Sequence, residues 1–218
     1  MYTIQSLYDL SHTQAKDYLQ GFTYPWEALG GIKEMITQLG QKLSKKDYIE
    51  VSHQVWVHVT AHIAPTAYLG APCIIGAGTE VRHCAFIRGA ALVGEGCVVG
   101  NSTELKNVIL FDKVQVPHYN YVGDSILGYR SHMGAGSITS NVKSDKTLVV
   151  IHAKEPIETG LKKVGALIGD NVEVGCNSVL NPGTVIGRGS NIYPLSSVRG
   201  IVPADSIYKA DGNIAKKQ

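Results

Sequence analysis

Starting at Val57 and advancing six residues at a time, the sequence meets Ile63, Leu69, Ile75, Val81, Ile87, Val93, Val99 and Leu105, an unbroken file of branched aliphatic side chains. Two residues ahead of each stands a small one: Ala61, Ala67, Cys73, Thr79, Ala85, Ala91, Cys97 and Thr103. The file returns as Ile168, Val174, Leu180, Ile186, Ile192 and Val198. Neither an amphipathic helix nor an alternating strand has a period of six. A hexad that is one short strand plus one corner does, and three such hexads close a triangular coil. The repeat therefore predicts an all-β chain, a left-handed parallel β-helix over residues 51–205, with residues 18 apart stacked on rungs about 4.8 Å apart. The 24 glycines suit its many corners, and the 7% aromatic content fits a core of small aliphatic groups.

Residues 1–50 do not repeat and predict a short helical extension. Ser11-His12-Thr13-Gln14 resembles a capping box, and Pro25 suits the first turn of a second helix. Leu29, Ile32, Met35, Ile36, Leu39 and Leu43 follow helical spacing. The expected role is a cap over the open end of the prism, where strand edges need cover; a partner-binding helix is the alternative. Residues 140–165 break the ladder and carry Lys143, Lys146, Lys154, Lys162 and Lys163, either a solvated excursion or a loop folded against a site. Residues 206–218 read as a C-terminal tail, frayed at its end.

A formal charge of +2 does not point to nucleic acid, and no apolar run has the length of a membrane span. The N-terminus lacks the pattern of a signal peptide. Four cysteines without C-x-x-C spacing read as reduced thiols in a cytoplasmic protein, with Cys73 and Cys97 as interior fillers.

Arg88 and Lys106 follow ladder residues 18 apart, so they should stand one rung apart on one face. Two stacked cations suit a phosphate; the alternative is a pair of independent surface charges served by acids such as Glu104. Beyond them the ladder slips from six to five between Phe111 and Val116, and again before Leu127. His118 lies in this disturbed stretch. An imidazole can accept a proton near neutral pH, and a structural or merely exposed histidine is the other reading.

The series Arg88–x17–Lys106–x11–His118–x2–Tyr121, with Gly123-Asp124 and Gly134-Ala135-Gly136-x-Ile138-Thr139-x-Asn141 after it, resembles a known family of hexapeptide acyltransferases. It is similar to the acetyltransferase domain of the bifunctional glucosamine-1-phosphate acetyltransferase/N-acetylglucosamine-1-phosphate uridylyltransferases, and most of all to the archaeal sugar-1-phosphate nucleotidylyltransferase/acetyltransferases. The segment from Tyr24 to Leu29 resembles the piece that joins the two domains in those proteins. The resemblance implies His118 as general base toward a sugar amine and acetyl-CoA as co-substrate. It implies Arg88 and Lys106 on a sugar phosphate, with Tyr121, His132, Asn141 and Lys146 also at the acceptor. Ala135 would lie near the transferred acetyl group, and sites would form between subunits of a homotrimer.

Three departures are visible. No nucleotide-binding loop of the G-x-G-T-R kind precedes the repeat, which implies no nucleotidylyltransferase activity. The usual Arg-Pro-Gly reads Arg88-Gly89-Ala90, and His132 replaces an asparagine that contacts the sugar. Two other functions fit the fold: a γ-type carbonic anhydrase, for which His83 and His118 are suitably spaced but Gly123 stands where a third ligand is needed, and a non-catalytic trimeric scaffold or regulatory subunit.

Overall fold

Each hexad forms a strand of two to four residues followed by a turn, and three successive strands pair with the coils above and below rather than with each other. This is the expected left-handed parallel β-helix, seen here in a computed structural model that describes residues 2–217. Ile75, Ile87, Val93, Val99 and Leu105 are wholly buried, while Ile63 and Leu69, in the first coil, are only partly covered.

The first face stacks Val55–His58, Cys73–Ile75 and Ala91–Val93, continuing to Ala166–Ile168, Thr184–Ile186 and Ile201–Val202. The second holds Tyr68–Leu69, Phe86–Ile87, Ile138–Thr139, Val179–Leu180 and Ser197–Val198. The third runs from His62–Ile63 to Ser206–Tyr208. Two longer strands, Glu104–Leu110 and Tyr121–Leu127, bend around the corner between the second and first faces and belong to both.

Those bent strands change the count. Val93 pairs with Leu110 and Leu105 with Val122, so these coils have seventeen residues instead of eighteen. The slips near Phe111 and Leu127 are this shortening. A single left-handed residue, Asn107 (φ 55°) or Asp124 (φ 47°), makes the bend that elsewhere takes a full turn. Asn and Asp adopt that conformation at less cost than most side chains, because their short polar groups can bond locally.

The ends are closed differently from expectation. Tyr48–Ser52 pairs antiparallel with the first strand, and Ile214–Lys216 pairs antiparallel with Ser206–Tyr208. The region expected to be a tail thus holds the last strand of the third face and the strand that covers its edge, and Lys217 Nζ donates to the Gly189 carbonyl at 2.7 Å. The first strand of the first face and the last strand of the third thus receive their edge hydrogen bonds from extended chain.

The helical segment is consequently not an end cap. Its longest helix, Ile32–Gly40, packs along the flank of the prism against Cys73–Ile75, Ala91–Val93 and Glu104–Leu110. Ile32 and Ile36 are fully buried there. Further along, Asp170, almost fully buried, accepts from the N–H groups of Asp9 (2.7 Å) and Tyr129 (2.8 Å) and pairs with Arg188 at 3.3 Å. Ser11 is not the expected cap. It sits inside a short 3-10 turn whose cap is Asp9, the carboxylate accepting from Ser11 N–H at 3.0 Å. Pro25 does open the second helical stretch, a 3-10 run to Gly31, with the Glu27 carboxylate accepting from Tyr24 N–H at 2.7 Å.

Among the described residues, no helix is long and apolar enough to cross a membrane. Cys73 and Cys97 are fully buried, and burial pushes each thiol up to about 12. A thiolate is the reactive form. Native protein titrated with a thiol reagent near pH 8 should therefore react at Cys84 and Cys176, which are exposed, and release the other two only on unfolding. Four equally fast thiols would mean an open core.

Candidate active site

One corner of the prism, where the second face turns into the first, collects most of the marked residues. Ile87 pairs with Leu105, so Arg88 and Lys106 do stand on adjacent rungs. Lys106 pairs in turn with Gly123, and the excursion leaves the prism at the same corner, beside Asn141. Arg88, Lys106, Asp124 and Asn141 therefore occupy four consecutive coils.

Neither cation is free. Arg88 Nη1 pairs with Glu104 Oε1 at 2.8 Å, and this acid holds the guanidinium above its ordinary range. Lys106 Nζ lies 3.1 and 3.0 Å from the two oxygens of Asp124. Asp124 is 5% exposed and is the hub of the corner. It also accepts from Asn107 Nδ2 at 2.9 Å and, through a short hydrogen bond, from Asn141 Nδ2. The other Nδ2 contact of Asn107 is the Leu29 carbonyl, 3.1 Å away, so the amide joins the hub to the helical segment. The sequence reading assigned no role to Asp124 or Asn107. Their signal was present as short polar residues where the ladder slips.

Tyr121 leans back over Gly123, where an added Cβ would collide with the phenol, and its hydroxyl accepts from Asn141 Nδ2 at 3.2 Å. Burial, then Asp124 and Glu104, push this phenol upward, so it stays a neutral hydrogen-bonding group at physiological pH. Beneath, Gly123 N–H donates to Thr139 Oγ1 (2.9 Å) and Ser125 Oγ donates to the Gly123 carbonyl (2.7 Å). The corner is thus backed by a satisfied, fully buried polar network. In front of it lies an open cleft of about 340 Å³, lined in part by Arg88, Gly89, Lys106, Asn107 and Asp124, and also by Lys33 from the flanking helix. Lys33 was not singled out from the sequence, because a single exposed helical lysine carries no distinguishing pattern.

The remaining candidates lie elsewhere on the chain. His118 ends a strand of the third face, at the opposite edge of the second face from the cations. It is exposed, and its imidazole has no hydrogen-bond partner among the described residues. Its backbone is held tightly. The N–H donates to Asn120 Oδ1 at 3.1 Å, and the carbonyl accepts from Gly136 at 3.0 Å. Asn120 is itself buried and donates to the Gly134 and Ser137 carbonyls at 2.9 and 3.0 Å, tying this corner to the next coil. Ala135 is on that next coil, and its N–H donates to no acceptor among the described residues.

His132 faces out from the third face, with Nδ1 2.8 Å from Glu173 Oε2. Lys146 sits in an exposed turn of the excursion, which folds into the hairpin Val150–Ile151/Ile157–Glu158 and buries Val149 and Ile151 against the corner near Gly183. His83 shares the corner of His118 two coils away, with Asn101 between them. One chain therefore brings Arg88, Lys106, Tyr121 and Asn141 to one corner but spreads His118, His132 and Lys146 over separate surfaces.

Comparison with known proteins follows the same lines. Residues 165–200 match the family described as bacterial transferase hexapeptide (six repeats). The bifunctional protein GlmU of Methanococcus maripaludis strain C5 is 30% identical over 96% of this chain and 52% of its own length. The bifunctional sugar-1-phosphate nucleotidylyltransferase/acetyltransferase of Sulfurisphaera tokodaii is 30% identical over 85% of this chain and 47% of its own. The chain thus spans about half the length of these relatives. Among solved structures, a hexapeptide transferase family protein from Anaplasma phagocytophilum covers 74% of this chain and 78% of itself, with 18% identity and a TM-score of 0.43.

Proposed function

We propose that this chain, which is similar over most of its own length to about half of the GlmU-type bifunctional proteins, transfers an acetyl group from acetyl-CoA to the amine of an amino-sugar phosphate. The observation that carries the reading is the corner cleft: Arg88 and Lys106 stacked in register over a buried carboxylate hub, with Tyr121 and Asn141 bonded to each other at its rim. A planar guanidinium and an ammonium aimed into one open cleft fit a phosphate monoester. On binding, the phosphate competes with Glu104 for Arg88, a partly exposed acid that can swing away.

The chemistry is acyl transfer with general base assistance. The sugar nitrogen forms a bond to the thioester carbonyl carbon, and the carbon–sulfur bond breaks. His118 accepts the proton leaving nitrogen and passes it to the departing thiolate. The N–H of Ala135, one coil from His118 and without an acceptor among the described residues, is the proposed donor to the carbonyl oxygen as charge builds there. His132, bonded to Glu173 on another face, and Lys146 reach the acceptor only from a neighbouring subunit or by movement of the excursion. A homotrimer whose sites lie between subunits supplies that second wall. Light scattering at working concentration should give three chains; a stable monomer with full activity contradicts this assembly.

The anion role is separable from the rest. Arg88 is half exposed and its loss leaves no buried charge unpaired, so Arg88→Met is the clean variant. A charge-assisted hydrogen bond contributes roughly 1.5–3 kcal/mol, so the KM for glucosamine 1-phosphate should rise about ten- to a hundredfold with little change for acetyl-CoA. Equal loss for both substrates would remove the phosphate from this corner.

A further inference from the structure

We propose that Lys33, on the helix Ile32–Gly40, is a third cation of the acceptor site and contacts the anionic group of the bound sugar, so that the helical segment is part of the site as well as a flank of the prism. The proposal rests on the acetyltransferase reading for the identity of the ligand, and on the cleft itself for the existence of an anion site.

The argument is one of charge and placement. The cleft is lined by three cations, Lys33, Arg88 and Lys106, and one carboxylate, Asp124. Lys106 is held by Asp124, and Arg88 by Glu104. Lys33 is exposed, and its ammonium has no acidic or hydrogen-bonding partner among the described residues. The positive charge that the cleft can offer without first breaking an ion pair is therefore that of Lys33. A phosphate monoester carries about −1.5 to −2 at pH 7, and a cleft whose other cations are already compensated attracts it weakly.

Placement is fixed rather than incidental. Ile32 and Ile36, on either side of Lys33 in the helix, are fully buried against the prism. Asn107 bonds both the Leu29 carbonyl at 3.1 Å and Asp124 at 2.9 Å. The same amide thus ties the chain just ahead of the helix to the residue that holds Lys106. A long, mobile side chain on a rigid base can close over an anion after it enters.

The test is steady-state kinetics with acetyl-CoA and glucosamine 1-phosphate. Lys33→Met should raise the acceptor KM about three- to tenfold, between the value of a screened surface pair and that of a charge-assisted hydrogen bond. The KM for acetyl-CoA should not move, and Lys33→Arg should recover most of the loss. Lys42→Met removes the same charge beyond the end of the helix and outside the cleft, and should be silent. An unchanged acceptor KM in Lys33→Met overturns the inference, as does an equal rise in Lys42→Met, which would mean a general field effect. If the wild-type protein turns over no amino-sugar phosphate, the proposed function fails, and the inference is then judged by inorganic phosphate titrated into the protein and followed by phosphorus NMR. Weaker phosphate binding in Lys33→Met than in wild type upholds the third cation; equal binding overturns it.

Discussion

Replacing His118 with alanine should cut turnover by about 10²- to 10⁴-fold, the usual range for a lost general base. A protonated sugar amine has no lone pair and cannot attack a thioester, so one proton must leave nitrogen before attack and a second as the amide forms. His118 presents an imidazole without a hydrogen-bond partner among the described residues, on a backbone clamped by Asn120 and Gly136. An unpartnered ring can reorient to meet the amine. A side chain exposed at a corner contributes little to the core, so the fold and the acetyl-CoA affinity should survive. His132 is the rival, but its Nδ1 is already engaged by Glu173. Near-full activity in His118→Ala with loss in His132→Ala would transfer the role, and full activity in both would end the base-catalysed scheme.

The second large effect is structural. Asp124→Ala should destabilise the protein by about 3 kcal/mol, the low end of the range for breaking a buried ion pair from one side, because Lys106 is a quarter exposed. The carboxylate is buried and serves Lys106, Asn107 and Asn141 at once. Its removal strips Lys106 of its counter-charge, frees the amide that holds Leu29, and takes from Asn141, where the excursion leaves the prism, its carboxylate partner. Asp124→Asn keeps the acceptor oxygen for Asn107 and loses the charge, so it should fall between wild type and alanine. Urea unfolding monitored at constant slope measures the difference. A loss below about 1 kcal/mol for Asp124→Ala would mean that the corner is solvated rather than built around this group.

Much of this architecture was legible because the six-residue ladder is set by burial, and burial is decided residue by residue. The stacking of Arg88 on Lys106 followed from Ile87 and Leu105 being ladder members eighteen apart. The count failed one coil later, where Asn107 and Asp124 turn the chain with a single left-handed residue each and shorten the coils to seventeen. The slip was visible in the sequence; its cause lay in backbone geometry that aliphatic spacing does not encode. The helical segment was identified from its apolar spacing, but a helix with one apolar stripe can cover an end or a flank equally well. Ile32 and Ile36 are buried by side-on packing, while Tyr48–Ser52 takes the edge. The two acids that neutralise the cations divide the same way: Glu104 was anticipated as an acid beside the pair, whereas Asp124, which meets Lys106 from a left-handed turn, was given no role.

The most direct measurement is thiol release from acetyl-CoA with three acceptors in parallel: glucosamine 1-phosphate, unphosphorylated glucosamine, and buffer. The geometry of the corner predicts release that requires the amine and is strongly favoured by the phosphate, with glucosamine far slower at equal concentration. Release no faster with any amino-sugar phosphate than in buffer would contradict acetyl transfer by this chain. Equal rates with and without the phosphate would contradict the assignment of Arg88 and Lys106 to it.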